Sequence, residues 1–213
     1  MSGQGGPTII IKICGISTLD AALAAKNFGA DLIGFVFADS KRQITPKQAQ
    51  AISLQVPGIK KVGVFVNAPL GEVQTVAKEC QLDYVQLHGD ESPEYCRQVG
   101  YPVIKAFPIK PGVSGAAFKD YQAAWTLFDS FSVRQQGGTG RPFDWRQAQI
   151  LAMQAPRPLL VAGGLTADNV AAAIQILKPD GVDVSGGVET DGVKDAAKIE
   201  RFIAAVRQRG NLC

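Results

Sequence analysis

Short apolar runs alternate with amphipathic stretches along the whole chain. The runs are rich in β-branched residues and continuously apolar, which is typical of strands that are covered on both faces in a parallel sheet. Eight strands are predicted on this basis, over residues 8–14, 32–37, 61–66, 84–87, 103–107, 126–129, 159–162 and 181–184.

The stretches between these runs carry helix signals. Thr45, followed by Pro46 and Gln48, offers a capping threonine, a proline in the first turn and a capping box. Ser92 precedes a second proline in the same way, and Thr166 is predicted to cap a helix over 167–177 that stops before Pro179. A last helix is predicted over 196–208, whereas the helical stretches after strands four, five and six are short or interrupted, and 108–115 is predicted to be a loop.

Eight strands that alternate with helices predict an α/β fold, a single (β/α)₈ TIM barrel of near-minimal length over residues 1–213. The alternative is an open, doubly wound sheet. Its dinucleotide-binding form requires a G-x-G-x-x-G motif after the first strand, and the segment from Cys14 to Ser17 does not supply it. No linker or low-complexity stretch divides the chain, so one domain is expected.

Composition narrows the class of protein. With 46% hydrophobic and 19% charged residues, the 213-residue chain is not intrinsically disordered. Its 22 basic and 19 acidic residues are scattered, so neither a nucleic-acid nor a membrane partner is implied, and no run approaches the length of a membrane span. The N-terminus lacks the pattern of a signal peptide, and Cys14, Cys80, Cys96, Cys213 and His88 form no zinc motif. A cytoplasmic, metal-free protein is expected.

In a barrel of this kind the site lies at the carboxyl ends of the strands. Strand seven ends at Gly163 and Gly164, and strand eight ends at Ser185, Gly186 and Gly187. Glycine lets backbone N–H groups approach an anion, and paired glycine turns after these two strands are typical of a phosphate site. The other interpretation is that the glycines only permit tight turns.

Two residues at strand ends are candidates for proton transfer. Cys14 ends strand one, where a thiolate favoured by a neighbouring cation would serve as a base, and Lys12 is expected on the same side of the strand. Asp129 ends strand six and is a candidate acid. Plain alternatives are a buried structural cysteine and a turn-capping aspartate.

Other polar residues follow strands two and four. Arg42 is able to grip a substrate carboxylate with two hydrogen bonds, although a solvated loop arginine is the simpler interpretation. His88, the sole histidine, suits either catalysis or the support of its loop. The glycine-rich segment 137–140 is either a lid or a plain connection.

In order and spacing, the motifs at these strand ends resemble the phosphoribosylanthranilate isomerase family over nearly the whole chain. The combination is specific, although each motif alone is weak. It comprises Lys12-Ile13-Cys14-Gly15-Ile16, Ser40-Lys41-Arg42, Gln86-Leu87-His88-Gly89-Asp90-Glu91, Gly137-Gly138-Thr139-Gly140 with Phe143-Asp144-Trp145, Ala162-Gly163-Gly164-Leu165, Val182-Asp183-Val184-Ser185 and Gly187-Val188-Glu189.

The resemblance implies a (β/α)₈ barrel that performs an Amadori rearrangement without cofactor or metal. It implies that Cys14 is the general base and Asp129 the general acid, and that Arg42 contacts the anthranilate carboxylate. The remaining substrate-binding residues would be Gln86, His88, Gly163, Gly164, Asp183, Ser185, Gly186 and Gly187. The ligand would be a small phosphosugar, and the protein a monomer or homodimer.

Three departures from the family pattern lie outside the proposed acid and base. Gly186 stands where a serine is common, Lys41 where a proline is common, and Thr190 begins a segment that lacks a frequent proline. Two alternatives are kept open. One is another phosphosugar isomerase, such as the histidine-pathway enzyme, which uses a carboxylate where this chain has Cys14. The other is a phosphate-binding barrel subunit without catalysis.

Overall fold

A computed structural model describes residues 8–109, 113–129 and 145–209 and shows eight parallel strands in a closed barrel. Each strand pairs with its sequence neighbours, and the last closes onto the first, as in a (β/α)₈ barrel. The prediction of this fold is confirmed. The strands are β1 (Ile10–Cys14), β2 (Leu32–Val36), β3 (Lys60–Phe65), β4 (Tyr84–Leu87), β5 (Val103–Pro108), β6 (Trp125–Asp129), β7 (Leu159–Ala162) and β8 (Gly181–Val184).

Helices cover the outside of this barrel. Those described are α1 (Leu19–Phe28), α2 (Pro46–Gln55), α3 (Leu70–Glu79), α4 (Pro93–Gln98), α5 (Trp145–Gln154), α6 (Val170–Leu177) and α7 (Ala196–Arg209), together with 3₁₀ helices over Gly115–Phe118 and Gly186–Val188. A short hairpin, β9 (Glu189–Thr190) and β10 (Val193–Lys194), precedes α7. The described residues of the β5–β6 connection contain only the 3₁₀ helix, as the interrupted pattern there suggested.

Helix caps follow the local sequence with one exception. Thr45 forms the predicted capping box with Gln48, and the Ser92 hydroxyl accepts a hydrogen bond from the Tyr95 amide. The prediction for Thr166 was wrong, because α6 begins three residues later than expected and Asn169 occupies the N-cap. The Asn169 side chain accepts a hydrogen bond from the Thr166 amide at 2.8 Å, so residues 166–169 form a turn before the helix.

Side chains along each strand point alternately into the barrel and toward the helices, which gives an inner and an outer core. Every second strand residue faces the barrel interior, where a buried apolar cluster includes Leu32, Val62, Ile104, Leu127 and Leu160. The opposite faces pack against the helices in two further clusters. Interior side chains nearer the carboxyl ends of several strands are polar, and the apolar layer therefore forms the floor beneath a cavity.

Arg207 ties α7 to the segments that precede β1 and β2. Its guanidinium donates hydrogen bonds to the Ile9 carbonyl at 2.6 Å, the Gly29 carbonyl at 3.0 Å and Asp31 Oδ2 at 2.8 Å. The last helix thereby fixes the entry to β1 and the turn before β2.

Within 8–109, 113–129 and 145–209, no helix is long and apolar enough to cross a membrane. The same ranges contain no group of three or more His, Cys, Asp or Glu arranged to hold a metal ion. The glycine-rich segment 137–140, predicted as a lid or a connection, lies outside the described residues.

Candidate active site

A cavity of about 460 Å³ opens at the carboxyl ends of the strands, within the size range of small-molecule sites. Its wall combines a thiol, carboxylates, an amide, an imidazole, a guanidinium and glycine turns. All of the residues predicted from the sequence as site residues line it, namely Cys14, Arg42, Gln86, His88, Asp129, Gly163, Gly164, Asp183, Ser185, Gly186 and Gly187.

Cys14 ends β1 and is 9% exposed in the wall of the cavity. Burial raises the pKa of its thiol above the ordinary value, and the neighbouring ammonium of Lys12 acts in the opposite direction without cancelling the effect. The thiolate is therefore costly here, and it depends on the cations around it.

A chain of hydrogen bonds links β4 to Asp129 at the tip of β6. Gln86 Nε2 lies 3.0 Å from His88 Nδ1, and His88 Nε2 lies 2.9 Å from Asp129 Oδ2. If the amide donates to Nδ1, the ring proton is on Nε2 and points at the carboxyl group. The imidazole therefore orients Asp129 in the cavity that both residues line, instead of bonding only within its own loop.

Arg42 is held in place rather than solvated. Its Nε and Nη2 donate to the two oxygens of Glu189 at 2.6 and 2.8 Å, and Lys194 Nζ donates to Oε1 of the same carboxylate at 2.5 Å. Burial alone would raise the pKa of Glu189, but these hydrogen bonds bring it below its ordinary value. The Glu189 carboxylate therefore stays ionised and fixes the plane of the guanidinium.

The position of Arg42 explains a glycine after β1. Gly15 has φ +77°, and a Cβ there would lie 2.5 Å from Arg42 Cδ. Arg42 Nη2 also lies 3.3 Å from the point that a Cβ of Gly186 would occupy, so the guanidinium sits beside the turn after β8. The carboxylate-binding and phosphate-binding candidates are thus close together at this edge.

The two glycine turns after β7 and β8 are adjacent, as predicted. Gly163 and Gly164 have φ values of 94° and 65°, which side chains rarely adopt. A Cβ on Gly187 would lie 1.8 Å from the carbonyl oxygen of Leu165, so only glycine allows the second turn to approach the first. Ser185 Oγ donates to the Cys14 carbonyl at 3.1 Å and thereby ties this edge to β1.

Three residues near the site were not predicted as site residues. Lys12 lies below the cavity and makes a 2.9 Å ion pair with Asp183, while Glu189 and Lys194 hold Arg42. A lysine two residues before Cys14 in an otherwise apolar strand was a visible signal. Glu189 belongs to one of the motifs of the resemblance, but its pairing with Arg42 and Lys194 could not be predicted because it depends on tertiary contacts.

Comparison with known proteins identifies the family to which the chain is similar. The family described as N-(5'phosphoribosyl)anthranilate (PRA) isomerase matches residues 11–205. The N-(5'-phosphoribosyl)anthranilate isomerase of Geobacter sulfurreducens is 50% identical over 196 residues, which cover 91% of this chain and 96% of that protein.

Solved structures give the same result. The phosphoribosyl anthranilate isomerase of Thermotoga maritima is 37% identical, with a TM-score of 0.84 over 94% of this chain and 100% of that one. A phosphoribosyl anthranilate isomerase in complex with reduced 1-(o-carboxyphenylamino)-1-deoxyribulose 5-phosphate is 35% identical, with a TM-score of 0.80 and the same coverage. On the fold, the motifs and these matches, the chain belongs to the N-(5'-phosphoribosyl)anthranilate isomerase family.

Proposed function

We propose that this chain isomerises N-(5'-phosphoribosyl)anthranilate to 1-(2-carboxyphenylamino)-1-deoxyribulose 5-phosphate, a step of tryptophan biosynthesis, by general acid–base catalysis. The observation that carries the proposal is the placement of Cys14 and Asp129 in the wall of one cavity, on β1 and β6. The glycine turns of β7 and β8 lie between these two strands around the barrel.

Asp129 is the acid in this scheme. Its protonated carboxyl group gives a proton to the furanose ring oxygen, the bond from that oxygen to C1 breaks, and the anthranilate nitrogen forms an iminium with C1. The contact between His88 Nε2 and Asp129 Oδ2 at 2.9 Å fixes the orientation of the carboxyl group in the cavity wall. Holding the acid in one orientation lowers the entropic cost of the transfer.

Cys14 is the base. Its thiolate takes the proton from C2, which the iminium has made acidic, and the electron pair moves to give an enolamine. The enolamine then gains a proton at C1 and loses its hydroxyl proton, which yields the ketone and conserves all atoms. The electron sink is the substrate's own iminium nitrogen.

Substrate anchoring is assigned to Arg42 and to the glycine turns after β7 and β8, which lie close together at one edge of the cavity. The turns at Gly163–Gly164 and Gly186–Gly187 offer backbone donors for the phosphate. Glu189 uses Nε and Nη2 of Arg42, so the anthranilate carboxylate would be bound through Nη1 and the remaining N–H of Nη2. Anchoring both anionic groups would hold the sugar between acid and base.

The experiment is the fluorescence decay of phosphoribosylanthranilate, generated in place, after the protein is added. Wild type should accelerate the decay, and Cys14→Ala and Asp129→Asn should each lower kcat by about 10²–10⁴-fold. Cys96→Ala is the matched control, because Cys96 is a buried cysteine on α4 that does not line the cavity.

Three outcomes would count against parts of the proposal. If folded wild type gives no acceleration, the isomerase proposal fails, and a phosphate-binding barrel or another phosphosugar isomerase takes its place. If activity survives Cys14→Ala, another base is required. If it survives Asp129→Asn, another acid is required.

The remaining expectations concern the protein's domain organisation, cellular location and oligomeric state. We expect residues 1–213 to act as one barrel on a small phosphosugar in the cytoplasm, as a monomer or homodimer. Sedimentation equilibrium against the 22.6 kDa chain mass would distinguish those two states and would contradict the expectation if a larger assembly were found.

A further inference from the structure

Lys12 is a fully buried lysine inside the barrel, directly below the cavity. It is paired in register with Asp183 on the neighbouring strand β8, and its Nζ lies 2.9 Å from Asp183 Oδ2. Because residues two apart on a strand face the same side, Lys12 and Cys14 both point into the barrel. The scheme proposed above leaves this cation without a role.

Gly34 on β2 shows how close the cation lies to the thiol. A Cβ at Gly34 would be 3.0 Å from Cys14 Sγ and 3.1 Å from Lys12 Nζ. Both atoms therefore surround a single point, and 6.1 Å is the upper limit of their separation. At such distances opposite charges shift a pKa by about 1–3. A side chain on Gly34 would push the two groups apart.

We propose that Lys12 is a positioning residue for the isomerisation, whose ammonium, fixed by Asp183, stabilises the thiolate of Cys14 from below the cavity. The proposal rests on the proposed function, in which that thiolate is the base. Lys12 would not touch the substrate, because no part of it is exposed to the cavity.

The other charges that face Cys14 act more weakly or in the opposite direction. After burial, which raises the pKa of the thiol, Lys12 is the strongest influence and lowers it, Asp183 raises it, and Lys194 lowers it. Arg42, whose own pKa is raised in part by the Cys14 charge, is held by Glu189. Of the cations that act on the Cys14 thiol, Lys12 therefore has the largest effect.

Stability alone does not account for this ion pair. Replacing a buried ion pair with apolar side chains of similar volume is often neutral or stabilising, so such a pair needs another reason to be present. Asp183 Oδ1 also has no hydrogen-bond partner among the described residues, which is costly for a purely structural carboxylate. Support of the thiolate supplies that reason.

The test is the pH dependence of Cys14 alkylation by iodoacetamide, because the reagent reacts with the thiolate. Peptide mass spectrometry separates Cys14 from Cys80, Cys96 and Cys213. Lys12→Met should raise the pH midpoint by at least about one pH unit. The double variant Lys12→Met/Asp183→Leu should raise it less, because the opposing carboxylate is also gone.

The matched control is a second buried lysine–carboxylate pair, Lys105 and Glu91, whose side chains are each 2% exposed. Lys105→Met/Glu91→Gln removes a charge pair of the same kind outside the barrel wall, and it should leave the Cys14 midpoint unchanged. Cys14 midpoints that are equal in wild type and both Lys12 variants would overturn the proposal.

Activity gives a second readout. For Lys12→Met, kcat/KM on phosphoribosylanthranilate should fall by about tenfold at neutral pH and approach wild type as the pH rises, since each pKa unit is a tenfold change in thiolate. A pH-independent loss would overturn the proposal. If wild type itself does not isomerise, the proposed function fails, while the alkylation midpoints still decide the Lys12 proposal. If the single variant does not fold, the charge-neutral double variant carries the same test.

Discussion

Two buried lysine–carboxylate pairs lie on opposite faces of the barrel wall, and their surroundings differ. Lys12 and Asp183 face the interior, whereas Lys105 and Glu91 face outward under the loop after β4. The outer pair is saturated: Lys105 also donates to the Leu87 and Gly89 carbonyls, and Glu91 accepts from the Asn67 and Gly89 amides.

The difference separates a structural ion pair from a functional one. Lys105 binds the carbonyls on either side of His88, so the outer pair holds the backbone from which that imidazole reaches Asp129. The inner pair holds little backbone, and one of its carboxylate oxygens has no partner among the described residues. The same kind of ion pair therefore has two uses: Lys105–Glu91 holds a loop in shape, and Lys12–Asp183 stabilises the charge of the Cys14 thiolate.

Breaking the outer pair should have the largest effect on stability. Lys105→Met leaves the Glu91 carboxylate buried without its cation, which costs about 3–5 kcal/mol when one partner of such a pair is removed. Urea unfolding measures the loss. A loss below about 1 kcal/mol would show that backbone donors alone support Glu91.

Removing both partners should distinguish the two pairs. Lys105→Met/Glu91→Leu should still cost about 2–4 kcal/mol, because the Asn67 and Gly89 amides lose their acceptor. Lys12→Met/Asp183→Leu should cost no more than about 1 kcal/mol, since apolar replacement of a buried pair is close to neutral. Equal losses of unfolding free energy in the two double variants would contradict the distinction between a structural outer pair and a functional inner pair.

Acid should weaken the outer pair. Burial alone would raise the pKa of Glu91, but the hydrogen bonds from Lys105 and Asn67 bring it below the ordinary value of 4.5. Its stabilisation is then complete above pH 4.5 and is lost as the pH falls through the lower, folded-state pKa. In unfolding measured from pH 6 down to about pH 3, Glu91→Gln should show a shallower loss than wild type. Parallel curves would contradict this.

The smallest change concerns one neutral hydrogen bond at the outer pair. The Tyr121 hydroxyl donates to the Glu91 carbonyl at 3.0 Å, so Tyr121→Phe should cost about 1 kcal/mol in urea unfolding. Tyr95→Phe, which removes a 2.7 Å hydrogen bond to the Ala68 carbonyl, is the matched control for the loss of a tyrosine hydroxyl. A Tyr121→Phe loss above about 3 kcal/mol would show that this contact is part of the ion-pair network.

The barrel could be predicted from the sequence because parallel strands buried on both faces leave a strong local pattern. The positions of Cys14 and Asp129 followed from that pattern, since they are the last residues of their strands. The start of α6 did not, because both Thr166 and Asn169 suit a cap, and the hydrogen bond from the Thr166 amide to the Asn169 side chain holds residues 166–169 in a turn.

The ion-pair partners of the charged residues were harder to predict than the positions of the site residues along the strands. Arg42 and Glu189 are 147 residues apart, and Lys12 and Asp183 are 171 apart, so neither contact leaves a local signal. Their pairing is decided by barrel closure, which sets β1 between β2 and β8. The roles of the site residues remain predictions that the variants above test.

The contacts of Arg207 show that the barrel closes late relative to the synthesis of its first strand. Its contacts with Ile9, Gly29 and Asp31 join residues that are separated by 198, 178 and 176 positions. The ribosome makes these N-terminal partners long before it makes β8 and Arg207, so one edge of β1 stays unpaired until β8 is available. Closing such a long loop is slow and entropically costly. The nascent barrel therefore exposes an open β1 edge until β8 has been made, and an unpaired strand edge of this kind favours aggregation.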